Sequence, residues 1–298
     1  MVQAPDKVDV PGDAGTPPRR AFAAVAAVSL LLFVLLYQFA VATGWGQRLD
    51  ATASKGRGQL HHRGIHAAAR LLTTIDVASL VLLGGAVVLV AIVRARPRLA
   101  IGAGAVIAGS VLTSELLKRV VLPRPDLGIY DGLNRAGSFP SGHTTVALSL
   151  GVGAMLVSPT RWRPYVGALG AAFASAIGVA TVAAATHRPS DPIGAALVVT
   201  AWTATVAALL VRCRRVDEPR AAGPRASPGF ALGGLVLLVV AFIGLVATAI
   251  AIHRDSVDTI DLGGAFVAAA SAITGTVLVS IGALLAVLRG VELDPPSG

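Results

Sequence analysis

The sequence has little of what soluble and secreted domains depend on. Of its 298 residues only 14% are charged and 5% are aromatic, and it contains one cysteine, Cys213. A single cysteine excludes an intrachain disulfide and a cysteine-rich metal site. The scarcity of charge, with a hydrophobic fraction of 54% and a mean hydropathy of +0.73, excludes a soluble domain of this length.

The charge that is present is mostly positive, with a formal net charge of +9. Basic loops beside anionic lipid headgroups account for it. Because no stripe of basic and aromatic residues accompanies the charge, nucleic acid is not an expected partner. The expected partners are membrane lipids and a lipid phosphate substrate, and the oligomeric state stays open.

Long apolar runs fill most of the chain. Runs near 20 residues with few charges are typical of membrane-spanning helices. We predict an all-α, polytopic membrane helical bundle, in which a six-helix core is followed by two extra C-terminal transmembrane helices. The eight predicted spans are about 22–43, 74–93, 99–117, 143–159, 165–186, 192–211, 230–252 and 263–288.

Composition and loop charge predict the organisation around these spans. The first residues are rich in Pro, Gly, Asp and Arg, which is typical of disorder. Short Arg-rich loops near 94–98, 161–163 and 212–225 predict the inner side, and both termini lie inside on this interpretation. The protein is thus expected in the cell inner (plasma) membrane. The predicted segments are a disordered cytoplasmic N-terminus (1–20), a membrane core (21–212), a cytoplasmic linker (213–228), two additional spans (229–289) and a tail (290–298).

Three polar stretches fall on the opposite, outer face. The first, LLKRVVLPRPDLG, contains Lys118 and Arg124. Arginine offers a planar fork to two phosphate oxygens, and lysine offers a point charge. The alternative is a lysine and an arginine solvated at the membrane edge. Glu115 lies one helical turn before Lys118 and is expected to pair with it.

The second stretch, GSFPSGHTTVAL, introduces an apolar helix. Ser141 is suited to cap that helix, and Gly142 lets backbone come close to a ligand. Free N–H groups at a helix start bind phosphate well. His143 then lies in the first turn, where an imidazole can protonate a leaving oxygen. The alternative is a capped helix with a chance histidine.

The third stretch, THRPSDPIGA, places His187 and Asp191 four residues apart. A carboxylate that accepts from one imidazole nitrogen leaves the other nitrogen as a nucleophile. A compatible alternative is that Asp191 caps the next helix, with Pro192 at its first position.

Together the three stretches resemble the type 2 phosphatidic acid phosphatase superfamily, whose other branch is the vanadium haloperoxidases. The pattern of that family is K-x6-RP, PSGH and SR-x5-H-x3-D, and the resemblance covers about residues 74–211. The resemblance implies that His187 is the phosphorylated nucleophile, that Asp191 orients it and that His143 is the general acid. It implies no metal and no other cofactor. The phosphate-binding residues that it implies are Lys118, Arg124, Ser141 and Gly142.

Two features depart from that pattern. Five residues separate Lys118 from the Arg-Pro pair, where the family has six. The third-motif Ser and Arg would fall at Ala180 and Thr181, so the second phosphate-binding arginine is absent from its place. If the fifth span continued as a helix, position 181 would lie roughly 9 Å from the nucleophile. Two nearby arginines are candidates for the missing contact: Arg188 and Arg119.

These patterns predict a metal-independent membrane phosphatase, which hydrolyses a lipid phosphate or polyprenyl (pyro)phosphate at the outer face through a phosphohistidine. One alternative is a lipid phosphotransferase with the same site. Another is a non-catalytic scaffold or transporter, which the absent arginine would fit. The membrane spans and the few aromatic residues disfavour vanadate-dependent halide oxidation. Three histidines near one another, His61, His62 and His66, lack acidic or cysteine partners, and we predict no metal there.

Overall fold

The computed structural model describes residues 18–129, 138–211, 226–289, 291 and 293. In these residues the protein is all-helical, as the apolar runs predict, with ten α-helices. The predicted N-terminal segment, linker and tail fall mostly outside the described residues. In chain order the helices are α1 (Pro18–Leu36), α2 (Gly44–Lys55), α3 (His62–Leu72), α4 (Val77–Val93), α5 (Pro97–Leu116), α6 (Gly142–Val157), α7 (Arg163–Ala183), α8 (Ser190–Leu210), α9 (Ala226–His253) and α10 (Thr259–Val287).

Short turns of other helix types continue three of these helices. A π-helical turn, Tyr37–Val41, extends α1, and a second one, Leu117–Val121, extends α5. A 3-10 turn, Gly56–Gln59, follows α2. With these extensions, six helices in the described residues are long and apolar enough to cross a membrane. The six are Arg19–Val41, Pro97–Val121, Arg163–Ala183, Ser190–Leu210, Ser227–His253 and Asp261–Val287.

Helices α4 and α6 coincide with the other two predicted spans but are shorter apolar helices. The length of α6, 16 residues, fits its place in the middle of the bundle, because most of its residues are buried. It packs against α4, α5, α7 and α8. A helix surrounded by protein does not have to match the thickness of the bilayer. All eight predicted spans are therefore helices of one polytopic membrane bundle.

Arginine side chains close one end of the bundle. Arg19 donates to the carbonyl of Val211 after α8, at 3.1 and 3.2 Å, and Arg94 donates to the carbonyl of Val157 in α6. Arg163 is buried and donates to the carbonyl of Val291 beyond α10, at 3.0 Å. Carbonyls at helix C-termini lack intrahelical partners and attract cations. Three of the arginines on the predicted inner side, Arg19, Arg94 and Arg163, thus stabilise helix ends at this end of the bundle.

The segment between the first two predicted spans, 45–73, forms α2 and α3 at the opposite end of the bundle. Thr43 begins α2 by accepting from the N–H of Gly46 at 3.0 Å, and Asp76 begins α4 in a reciprocal pair with Ser79. Helix α2 packs against α10, and α3 packs against α7. Both lie over the end where α6 and α8 begin.

The two extra helices join the core through α10. This helix packs against α9 on one side and against α7, α8 and α2 on the other. Gly234 and Gly275 bring α9 and α10 close together, since a Cβ on either glycine would lie 2.9 Å from the carbonyl oxygen of the other. Small residues at such contacts are typical of helix pairs in membranes.

Candidate active site

The three polar stretches converge where α6 and α8 begin. The rings of His143 and His187 lie with centroids 6.3 Å apart and nearly perpendicular planes. The N–H of Ser141 donates to the carbonyl of Asp191 at 3.0 Å, which joins the start of α6 to the first turn of α8. The predicted convergence of these stretches is therefore present in the tertiary structure.

His187 is held by a buried carboxylate. Its Nδ1 lies 3.0 Å from Oδ2 of Asp191, whose side chain is fully buried. The same oxygen accepts from the backbone N–H of Arg188 at 3.0 Å. A proton on Nδ1 that is donated to Asp191 leaves the lone pair of Nε2 free. The arrangement is suited to nucleophilic attack by Nε2.

The position of Asp191 in its helix differs from the expected cap. Helix α8 begins at Ser190, with Pro189 before it, so Asp191 is its second residue and Pro192 its third. The carboxylate still accepts the N–H of Arg188, three residues earlier, but in a turn before the helix rather than at a capping position.

The start of α6 follows the prediction. Ser141 caps the helix, because its Oγ accepts from the N–H of Thr144 at 3.4 Å. Gly142 is its first residue, and a Cβ there would lie 3.3 Å from the Glu115 carboxylate and 3.5 Å from Nζ of Lys118. The glycine thus permits the cationic end of α5 to approach the start of α6.

Lys118 and Arg119 both contact Glu115. The distance is 2.5 Å from Lys118 Nζ to Oε1 and 2.9 Å from Arg119 Nε to Oε2, so the predicted pairing of Glu115 with Lys118 is confirmed. The Lys118 side chain is 17% exposed, whereas that of Arg119 is 77% exposed. The structure thus brings Lys118 to the site despite its shorter spacing and leaves Arg119 at the surface.

Arg124 is buried against the start of α8, with only 4% of its side chain exposed. Its Nη2 donates to Oδ1 of Asp191 at 3.1 Å and to Oγ of Ser190 at 3.4 Å. Its Nε and Nη1 have no hydrogen-bond partner within the described part of the chain. Buried donors without acceptors are costly, and a bound phosphate would supply acceptors for them.

The model of one family, the PAP2 superfamily, matches residues 92–215. The matched region is here called the PAP2 domain. Members of that family are generally phosphatases. The long apolar helices of the described residues are those of a polytopic membrane protein. Comparison with curated proteins and with solved structures finds no match.

Thr181 occupies the position where the family pattern has the arginine of its third motif, and the structure shows its contacts. Thr181 is fully buried, and its hydroxyl donates to the carbonyl of Gly178 in its own helix at 2.7 Å. Helix α7 ends at Ala183, and the N–H of His187 returns to the carbonyl of Thr181 at 3.1 Å. The helix therefore ends before His187, and the backbone of position 181 lies next to the backbone of His187. Arg188 is also buried beside His187.

Sequence reasoning missed one buried acid, which lies outside the PAP2 domain. Asp50 in α2 accepts from Ser190, at 3.1 Å from the N–H and 2.5 Å from the hydroxyl, and lies 3.7 Å from Nη1 of Arg124. Burial raises the pKa of Asp50 to about 6, although Arg124 lowers it and Asp191 raises it further. A signal was available, because Asp50 is the only acidic residue between Asp13 and Asp76.

His61, His62 and His66 lie at the start of α3 and within it. His61 begins α3, where its Nδ1 accepts from the N–H of Arg63 at 3.3 Å. Across the described ranges, no group of three or more His, Cys, Asp or Glu side chains is placed to hold a metal ion.

Proposed function

We propose that the protein hydrolyses a lipid phosphate, or a polyprenyl phosphate or pyrophosphate, through a phosphohistidine on His187. The observation that carries this proposal is the pair of imidazoles at 6.3 Å, one of which is held by buried Asp191. Arg124 and Lys118 lie beside the pair as cations for phosphoryl oxygens.

The first step transfers the phosphoryl group to the protein. Nε2 of His187 attacks phosphorus, the bond from phosphorus to the lipid oxygen breaks, and His143 donates a proton to that oxygen. Reacting atoms must approach to roughly 3–3.5 Å, and the separation of the two rings leaves room for a phosphoryl group between them. Asp191 stabilises the positive charge that develops on His187.

The second step releases phosphate. A water molecule attacks the phosphohistidine and gives its proton to His143, the nitrogen–phosphorus bond breaks, and inorganic phosphate leaves. Arg124, Lys118 and the N–H groups at the start of α6 stabilise the charge on the transferred oxygens. Each group thus returns to its starting protonation state after one turnover.

The place of the site fits a lipid substrate. It lies at the end of an apolar bundle, so the tail of a lipid remains in the bilayer while its phosphate enters between α6 and α8. Arginines cluster at the other end, where Arg19, Arg94 and Arg163 contact helix ends. By the positive-inside rule this arrangement supports an outward-facing site.

Phosphate release from a panel of lipids tests the proposal. The panel contains phosphatidic acid, phosphatidylglycerol phosphate, a polyprenyl phosphate and a polyprenyl pyrophosphate. We expect no release and no trapped phosphoprotein from His187→Ala. His143→Ala should be slower by about 100-fold or more on lipids but should still be phosphorylated by a substrate with a good leaving group. Exposed His253 provides the control, His253→Ala, with unchanged activity.

Three outcomes would contradict the proposal. Phosphate release by His187→Ala at the wild-type rate would exclude a phosphohistidine on His187 as an intermediate. If the phosphoryl group appears on an acceptor hydroxyl, and the released phosphate contains no oxygen from labelled water, the protein is a phosphotransferase. Loss of activity in EDTA with recovery in Mg²⁺ means that a different, metal-dependent site acts, because Mg²⁺ sites need oxygen ligands of another kind. We expect activity that survives EDTA and is blocked by vanadate.

A further inference from the structure

Arg124 lies in a segment whose position is not fixed by regular secondary structure. The π-helical turn ends at Val121, and Arg124 is flanked by Pro123 and Pro125 in irregular backbone. Proline has no N–H to donate, so this segment lacks two of the backbone hydrogen bonds that would otherwise anchor it. A phosphate-binding arginine needs a defined position, because charge-assisted contacts depend on geometry. Other parts of the chain must therefore fix this segment.

Two neutral side chains hold its backbone from either side of the arginine. The hydroxyl of Tyr37 donates to the carbonyl of Pro123 at 2.9 Å. The amide of Gln47 donates to the carbonyl of Pro125 at 3.0 Å and to the carbonyl of Val41 at 2.8 Å. Tyr37 lies in the extension of α1 and Gln47 lies in α2, so both precede the PAP2 domain.

The third contact holds the guanidinium itself. Asp50 lies one turn after Gln47 in α2, and its Oδ2 is 3.7 Å from Nη1 of Arg124. The same carboxyl accepts from the N–H and hydroxyl of Ser190, next to Asp191, which accepts from Nη2. Two buried carboxyl groups on different helices thus bracket the arginine.

We propose that Tyr37, Gln47 and Asp50, here called the arginine clamp, position Arg124 for the phosphoryl group and extend the active site beyond the PAP2 domain. The inference rests on the proposed function, since it assigns the clamp to the phosphate site of that reaction. The clamp gains importance from the absent third-motif arginine, because Thr181 offers no cation to share the phosphoryl charge.

Conservative substitutions can separate positioning from folding. Tyr37→Phe removes only the hydroxyl and keeps the ring, whose centroid lies 5.8 Å from that of Phe139. Asp50→Asn removes a carboxyl whose pKa is raised to about 6. Because the pKa of Asp50 is higher in the folded protein than in the unfolded chain, its contribution to stability is fully present below the unfolded-state pKa. That contribution is lost as the pH rises through about 6. At pH 7.5, roughly 1.5 units above that value, the neutral asparagine therefore avoids the burial of a charge.

The experiment measures two quantities on purified protein: kcat/KM for a hydrolysed lipid phosphate and the affinity for vanadate. Tyr37→Phe should lower both by roughly two- to tenfold, the range for one neutral hydrogen bond. Asp50→Asn should lower both by roughly ten- to hundredfold, as for a contact to a charged group. Matched controls at exposed positions, Tyr165→Phe and Asp76→Asn, should leave both unchanged.

A double-mutant cycle shows whether the clamp acts through Arg124. In an Arg124→Ala background, Asp50→Asn should cause no further loss of vanadate affinity, because the group that it positions is gone. Independent losses that add in the double variant, or wild-type vanadate affinity in both clamp variants, would overturn the proposal. The melting temperature without ligand identifies any variant that has merely unfolded.

The two readouts also separate this proposal from the proposed function. If the wild-type protein binds vanadate but releases phosphate from no lipid, the lipid phosphatase activity is wrong, and the clamp is still judged by vanadate affinity. If the wild-type protein does not bind vanadate, the clamp positions nothing for a phosphoryl group and is refuted as well.

Discussion

Asp191 accepts hydrogen bonds from three parts of the site: the His187 ring, the Arg188 N–H and the Arg124 guanidinium. A carboxylate has enough lone pairs for all three donors, whereas an amide has one acceptor oxygen and adds donors of its own. The carboxylate therefore holds both the proposed nucleophile, His187, and the proposed phosphate-binding cation, Arg124.

We expect Asp191→Asn to lower kcat strongly. Loss of contacts to charged groups is worth about 1.5–3 kcal/mol each, which corresponds to roughly 10- to 150-fold in rate. The measurement is kcat for phosphate release, with the melting temperature as a check of the fold. Wild-type activity in Asp191→Asn would show that this residue serves only the local turn.

The absent arginine leads to a second prediction at this scale. Because the carbonyl of Thr181 accepts from the N–H of His187 at 3.1 Å, a long side chain at position 181 starts close to the nucleophile. If Arg188 supplies the missing cation, Arg188→Ala should lower kcat/KM by an amount equivalent to about 1.5–3 kcal/mol of activation free energy. Thr181→Arg in that variant should then restore part of the loss.

The opposite pattern identifies a site that functions without a second arginine. In that case Arg188→Ala is silent, and Thr181→Arg alone raises activity. Thr181→Ser is the matched control, since it keeps the hydroxyl that donates to Gly178.

At the scale of elements, the contact between α6 and α7 determines where His143 stands. A Cβ on Gly151 would lie 2.8 Å from Cα of Gly170, and one on Gly170 would lie 2.9 Å from Cα of Gly151. Backbone atoms cannot yield as a flexible side chain can, so any larger residue forces the helices apart. Close approach through small residues is typical of helices packed in membranes.

We expect Gly170→Val to lower the free energy of unfolding by about 1–3 kcal/mol, the usual effect of overpacking. Activity should fall as well, because displacement of α6 moves His143 away from His187. Gly85→Val in α4 is the matched control, since a Cβ there meets nothing within 4 Å. If the two variants are equally stable in thermal unfolding, the contact between α6 and α7 tolerates a larger side chain.

The ends of helices also show how much local sequence predicts. The cap at Ser141 and the pairing of Glu115 with Lys118 involve residues three apart, and both follow from sequence spacing. The role of Arg163 does not, because its acceptor at Val291 is more than a hundred residues away. Such contacts depend on which helices become neighbours.

At the scale of the whole molecule, the site and the helix-capping arginines occupy opposite ends. The turn between α9 and α10 lies at the site end, where Asp255 and Val257 line a surface cavity with Arg48 and Thr52 of α2. The turn between α4 and α5 lies at the arginine end, next to Arg94. The orientation of the bundle therefore decides which leaflet provides the substrate.

Cysteine labelling in a Cys213→Ala background tests the orientation. Ser256→Cys, exposed in the turn after α9, should react with an impermeant thiol reagent in intact cells. Ala95→Cys, exposed in the turn after α4, should react only after the membrane is permeabilised. The reverse result would place the site at the inner leaflet.

Local sequence patterns predict the eight apolar helices and the residues of the three polar stretches, but not α2 and α3. Membrane spans and caps are local properties, since they depend on apolar runs and on spacings of three or four residues. Local sequence therefore indicates Lys118, Arg124, His143, His187 and Asp191 as candidate site residues. Family resemblance supplied their expected roles.

The surroundings of these residues follow from the tertiary structure and not from local sequence. The tertiary structure placed Asp50 against Ser190, 140 positions away, turned the chain so that the backbone of Thr181 lies next to that of His187, and left Arg119 exposed. The contact between Asp50 and Ser190 cannot be read from local spacing, because it depends on how separate helices meet. The physical reason is that periodicity specifies which face of a helix is apolar, whereas packing of all the helices specifies which polar groups come within hydrogen-bond distance.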